Sequence, residues 1–268
     1  MGWVTLPVVL LCLSPRADAM PEDPDDRAAV SAGTADWRGR HADALAEAWR
    51  SDPIGAARVR ELTPGVTRAG GPRFILPDRG PGTTAVLLAR FLDAGDPPAV
   101  RAALLDALAR TEGEWAPGIA AAYADEESAN VREVMVEVMR RQEPALAQPV
   151  LRAGAKDSSP LVRSAAVRGM GWTEDAGWSP ALVQALSDAD AGVRADAARA
   201  LGWVGAMDAW APLVDGVRDA DPTVRLKAMR ALQRLDPARA ASEAVVQACV
   251  TDPDARVARA AGQIVGRR

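Results

Sequence analysis

Apolar and polar positions repeat in register over most of the chain, with a period of thirty-one residues. The pair Val-Arg stands at 100–101, 131–132, 162–163, 193–194 and 224–225. A sixth copy, Val257-Ala258, follows after thirty-three residues with the arginine lost. Four residues after each valine comes a core-type residue: Leu104, Met135, Ala166, Ala197, Ala228 and Ala261. Eight after it comes another: Leu108, Met139, Met170, Leu201, Leu232 and Val265. The spacing i, i+4, i+8 is one face of an α-helix, so each copy predicts a helix beginning at its Val-Arg pair.

The polar positions hold the same register. Six residues before the arginine stands an acid, Glu126, Asp157, Asp188, Asp219 or Asp252, while the first copy has Gly95 flanked by Asp93 and Asp96. These acids lie in short turns such as Ser187–Gly192 (SDADAG), preceded by another apolar segment such as Ala181–Leu186 (ALVQAL). Each unit therefore reads as helix, Asp-rich turn, helix. Pro98, Pro160 and Pro222 sit just ahead of three Val-Arg pairs, where a helix N-terminus tolerates proline. The turn acids suit the positive end of the helix dipole.

A turn acid, then Val-Arg, then small apolar positions resembles the HEAT repeats, in the short form first recognised in phycobilin lyases. The resemblance covers about residues 83–268 and implies an all-α, right-handed α-solenoid of about six two-helix repeats, roughly 50–60 Å long at 8–10 Å per helix layer. It also implies a ladder of acid and arginine between neighbouring repeats, which Asp157/Arg163, Asp188/Arg194 and Asp219/Arg225 fit. A proline early in the first helix is typical of the family, and Pro149 and Pro180 stand eight residues before their turn acids. The resemblance specifies fold far more than function, because such folds host unrelated tasks.

Before the repeats the pattern changes. Residues 34–82 read as an N-terminal cap: an amphipathic helix carrying Trp37, His41, Leu45 and Trp49, a second short helix, and a Gly/Pro-rich loop. Residues 20–33 (MPEDPDDRAAVSAG) read as an acidic linker. Residues 1–19 resemble a secretory signal: an apolar run of eleven at 3–13, then Ala17-Asp18-Ala19, though no Lys or Arg precedes the run. If the segment is a signal, the chain is exported to the periplasm or medium; otherwise it is cytoplasmic.

Composition narrows the chemistry. One His and two Cys cannot furnish a His/Cys zinc site, so no metal is expected. A Ser-His-Asp triad would have to use His41, which lies on the apolar stripe of its helix and reads as structural. Neither a dinucleotide fingerprint nor a P-loop is present, so no cofactor and no enzymatic activity are expected. HEAT-like iron hydroxylases rely on His-Glu pairs that a single His cannot supply. A net charge of −4 argues against nucleic acid as the partner, although a local basic strip keeps it as an alternative. The lyase resemblance leaves small-ligand handling as another.

The informative residues lie on the second helices, which line the concave face in this fold. Six residues after the valine the register places Asp106, Glu137, Arg168, Arg199, Arg230 and Gln263, pointing away from the core stripe. Four further on it places Arg110, Arg141, Trp172, Trp203, Arg234 and Arg267. The first two repeats would then carry i, i+4 acid–Arg pairs, and the later ones a cationic-aromatic strip. Arg168, Trp172, Arg199, Trp203, Arg230 and Arg234 are the candidate partner-binding residues, for a protein or peptide segment that is acidic or contains aromatic residues. The competing reading turns Trp172 and Trp203 inward to pack on the next repeat. Trp115, Trp178 and Trp210 fall near first-helix starts and are assigned to packing.

Overall fold

The computed structural model describes residues 81–92, 95–111 and 114–266. The expected signal (1–19), the linker (20–33) and all but the end of the cap (34–82), His41 included, lie outside the described residues. Within them the first helices are α1 (Pro81–Leu92), α3 (Ala116–Ala122), α5 (Pro144–Gly154), α7 (Ser179–Ala185) and α9 (Trp210–Gly216), with α11 (Pro237–Ser242) and α12 (Ala244–Ala248) sharing that place in the last unit. The second helices are α2 (Pro98–Leu108), α4 (Ala129–Met139), α6 (Pro160–Trp172), α8 (Ala191–Trp203), α10 (Pro222–Leu235) and α13 (Ala255–Val265). No strand occurs among the described residues.

Local chemistry sets the helix starts. Pro98, Pro160 and Pro222 occupy the first turns of α2, α6 and α10, where no backbone N–H is missed. Asp190, Asp221 and Asp254 cap α8, α10 and α13 by accepting hydrogen bonds from Val193, Val224 and Val257, the valines of the repeat. Pro180 lies in the first turn of α7. Pro149 departs from expectation: α5 begins earlier, at Pro144, and carries Pro149 in its interior. The two extra residues of the sixth unit also have a structural correlate. Its first helix is broken at Glu243, whose backbone is extended (φ −64°, ψ 122°).

The apolar stripe is the core. Val131, Met135, Met139, Val162, Ala166, Ala197, Leu201, Ala228, Leu232, Val257 and Ala261 are all fully buried. Trp115, Trp178 and Trp210 are buried with them at the first-helix starts. Each second helix packs extensively on the next in an unbroken series, whereas the first helices touch one another sparsely. An array tighter along one row than the other bends toward the tight row. The second helices form the more tightly packed row, the one the resemblance assigns to the concave face.

Neighbouring units are tied by an arginine ladder. Arg163 donates from Nε and Nη2 to both carboxylate oxygens of Asp188, at 2.7 and 2.8 Å, and from Nη1 to the carbonyls of Asp157 and Ser158 in its own turn. Arg132 with Asp157, Arg194 with Asp219 and Arg225 with Asp252 repeat this geometry. Arg101 meets Glu126 one unit earlier. The carboxylate partner is thus the acid of the following unit. The within-unit pairs Asp157/Arg163, Asp188/Arg194 and Asp219/Arg225 are joined only through the acid's backbone carbonyl. Each aspartate also accepts from the amide two residues on, which fixes the turn. The guanidinium hydrogen bonds hold the carboxyls of Asp188, Asp219 and Asp252 below their ordinary values.

Candidate binding face

Small residues on the second helices bring these helices unusually close. A Cβ on Gly171 would lie 2.8 Å from the Cβ of Ala200 and 3.0 Å from its Cα. One on Gly202 would lie 3.0 Å from the Cα of Ala231. Glycine is needed at both places because backbone faces it across the helix interface. The close approach has a consequence one residue further along each helix. Trp172 and Trp203, at the C-terminal ends of α6 and α8, meet edge to face with ring centroids 5.8 Å apart.

Two arginines bracket the pair. The Arg140 guanidinium lies over the Trp172 ring at 4.8 Å, and that of Arg199 lies over Trp203 at 5.0 Å. Arg140, Trp172, Trp203 and Arg199 therefore form one stack spanning three repeats. The tryptophans are half-buried, so they pack along the face against each other and the arginines rather than wholly inward or outward.

The cations are tied into a network. Arg168 bonds Glu137 of the preceding unit at 2.8 Å and Asp196 of the following unit at 3.3 Å. Glu137 is shared with Arg140 at 2.8 Å, and Asp196 with Arg199 at 2.5 Å. Ser164 donates to Asp196 and accepts from Arg168. Burial alone would raise the Glu137 carboxyl, but Arg140 and Arg168 more than offset this and hold it below the ordinary range. Burial likewise opposes charge on Arg168, and Glu137 and Asp196 outweigh it, so its guanidinium is firmly charged.

Two details differ from the helical-wheel expectation. Arg199 does not project away from the core; its side chain is 7% exposed, lying flat between Asp196 and Trp203. Glu137 bonds Arg140, three residues on, and also reaches Arg168, one repeat on, a link that the wheel of a single helix does not offer. Asp106 and Arg110 do form the expected i, i+4 pair, at 2.5 Å. Sequence reasoning passed over Asp196. Its signal was a carboxylate in a register column otherwise apolar in four of six units (Ala103, Val134, Ala165, Ala260).

On α10, Arg230 is half-buried and Arg234 is exposed. Over α4, α6, α8 and α10 the concave positions carry Arg140, Arg141, Arg168, Arg199, Lys227, Arg230 and Arg234 against Glu133, Glu137 and Asp196. A chain of net charge −4 thus has a cationic inner face. Elsewhere, a groove of about 590 Å³ between α5 and α7 is lined by Arg152, Lys156, Gln184 and Asp188. Its carboxylate is already bound to Arg163, and no acid pair converges there. Among the described residues, no helix is long and apolar enough to cross a membrane, and no group of three His, Cys, Asp or Glu is placed to hold a metal.

Comparison with known proteins bears on the architecture. Residues 179–266 match the family model described as HEAT repeats. No curated protein matches the chain. Among solved structures, the Escherichia coli protein YibA is similar at 16% identity and a TM-score of 0.53, covering 75% of this chain and 77% of its own. An engineered protein is similar at 18% identity and a TM-score of 0.46, covering 69% and 89%. At such identity the likeness to YibA shows the fold alone. Residues 179–266 are thus similar to HEAT repeats, and the described residues form an all-helical solenoid.

Proposed function

We propose that the protein is a non-enzymatic scaffold whose concave face holds a partner protein or peptide of acidic character. The observation that carries this reading is the stack Arg140–Trp172–Trp203–Arg199, ordered in advance on a face rich in cations. Rigid aromatic and arginine side chains lose little entropy on binding and dominate interface energetics. Arg140 and Arg199 lie over the tryptophans and are bound to Glu137 and Asp196, as is Arg168, and the exposed Arg234 of α10 offers charge to a partner. Residues 1–19 act in this reading as a secretory leader, and a mature chain beginning at Met20 is the expected result of N-terminal sequencing after expression in a secreting host.

Panning a random peptide library on the folded protein tests the proposal. Acidic peptides are expected, and Trp203→Ala combined with Arg234→Glu should weaken the selected peptides by about thirtyfold, or about 2 kcal/mol, with helical circular dichroism intact. Selected peptides that bind this variant as tightly as the parent would place the binding elsewhere. Salt-steep retention of nucleic acid instead, lost with Arg234→Glu, would favour the nucleic-acid alternative.

A further inference from the structure

The register is broken at one place on the first-helix row. The column through residue 152 reads Arg90, Ala121, Arg152, Val183 and Val214, and the column four residues on reads Ala94, Asp125, Lys156, Ser187 and Arg218. Both columns are basic in the third unit alone. Arg90 and Arg218 bond acids of their own units, Asp96 and Asp215. Arg152 and Lys156 bond no acid among the described residues. Like charges at this spacing repel, and neither the ladder nor the core accounts for Lys156.

The two cations line the groove of about 590 Å³ between α5 and α7. Met170, Pro180 and Ala181 give it apolar walls, and Gln184 and Ser187 add an amide and a hydroxyl. Arg152 is held in advance by the Trp178 ring, whose centroid lies 4.6 Å from the guanidinium carbon. That contact uses the charge of the guanidinium and leaves its N–H groups for another acceptor. Asp188, the carboxylate among the lining residues, has both oxygens on Arg163. The groove therefore sets uncompensated positive charge beside apolar surface, in a volume usual for small-molecule sites.

We propose that this groove binds a small organic anion, an apolar or aromatic body whose acidic head meets Arg152 and Lys156. The site is separate from the concave face, and neither reading depends on the other.

The probe is 2-naphthoate, a flat two-ring carboxylate, with 2-naphthamide as its uncharged counterpart. Lys156 is exposed, Lys227 is buried, and they are the chain's two lysines. Reductive methylation of the full chain with ¹³C-formaldehyde keeps the lysine charge, and the signal lost in Lys156→Gln reports on the groove. Naphthoate should shift that signal saturably, and Arg152→Gln should weaken its binding about tenfold, the usual loss of one charge-assisted contact. The unaltered protein should bind naphthamide about tenfold more weakly than naphthoate for the same reason, a comparison that needs no variant to fold. Inorganic phosphate should compete poorly, and Trp203→Ala with Arg234→Glu should leave naphthoate binding unchanged. No saturable shift, equal affinity for naphthamide, or full affinity in Arg152→Gln would overturn the proposal. So would phosphate binding as tightly as naphthoate, which would give the apolar walls no part, or loss of naphthoate in the concave-face variant, which would place the anion there.

Discussion

Glu174 and Gly205 hold the same register position, one unit apart, and both have left-handed backbone, φ 52° and φ 69°. Each follows the end of a second helix, α6 or α8, where the chain must turn. Glycine takes this conformation at no steric cost, whereas glutamate meets its own Cβ. Glu174→Gly should therefore stabilise the protein by about 0.5–1 kcal/mol, after allowing for the freedom glycine gains when unfolded, and thermal melting reads it directly. The ladder gives a second residue-scale expectation. Arg194 makes four hydrogen bonds, two of them to Asp219, so Arg194→Ala should cost about 2 kcal/mol in denaturant unfolding. The sign of the pH dependence follows from the lowered carboxyls of Asp188, Asp219 and Asp252. Their stabilisation is complete above the unfolded aspartate value of about 3.9 and is lost as pH falls through the lower folded-state values. Melting temperature should drop steeply below about pH 4, and Asp188→Asn should flatten that drop while lowering stability at pH 7.

At the scale of helices, one substitution has opposite expected signs at two places. Gly171→Ala pushes a methyl into Ala200 of the next helix and should cost about 1–3 kcal/mol by forcing α6 and α8 apart. It should also disturb the Trp172–Trp203 contact, visible as a change in near-ultraviolet circular dichroism. Gly262→Ala on α13 meets nothing within 4 Å and should stabilise by about 1 kcal/mol through helix propensity. Helix order and the residues of the ladder were legible in the sequence because a thirty-one-residue register aligns equivalent positions, but the pairing was not, because each guanidinium reaches across to the acid of the following unit. Nor was the packing of the concave face. A helical wheel treats each helix alone, and on that view Arg199 points outward. The Gly171 and Gly202 approaches bring neighbouring helices alongside, so that an outward position becomes the floor of a shared surface. Glu137 found Arg168 across one repeat for the same reason. Reading down the register columns, rather than along each helix, would have exposed both.

For the whole molecule, we propose that a regular solenoid, held by its arginine ladder, presents one face for recognition. The repeat is legible in sequence because each unit must satisfy the same neighbours. The partner is not, because nothing in a periodic pattern refers to it. Indole N–H resonances provide the most direct measurement. The chain has eight tryptophans, and Trp172→Phe and Trp203→Phe would assign the two signals that matter. On titration with an acidic peptide selected against the protein, those two resonances should shift together and saturably, while those of buried Trp115, Trp178 and Trp210 stay in place. Saturable shifts at Trp178 or Trp210 with Trp172 and Trp203 unmoved would contradict the account.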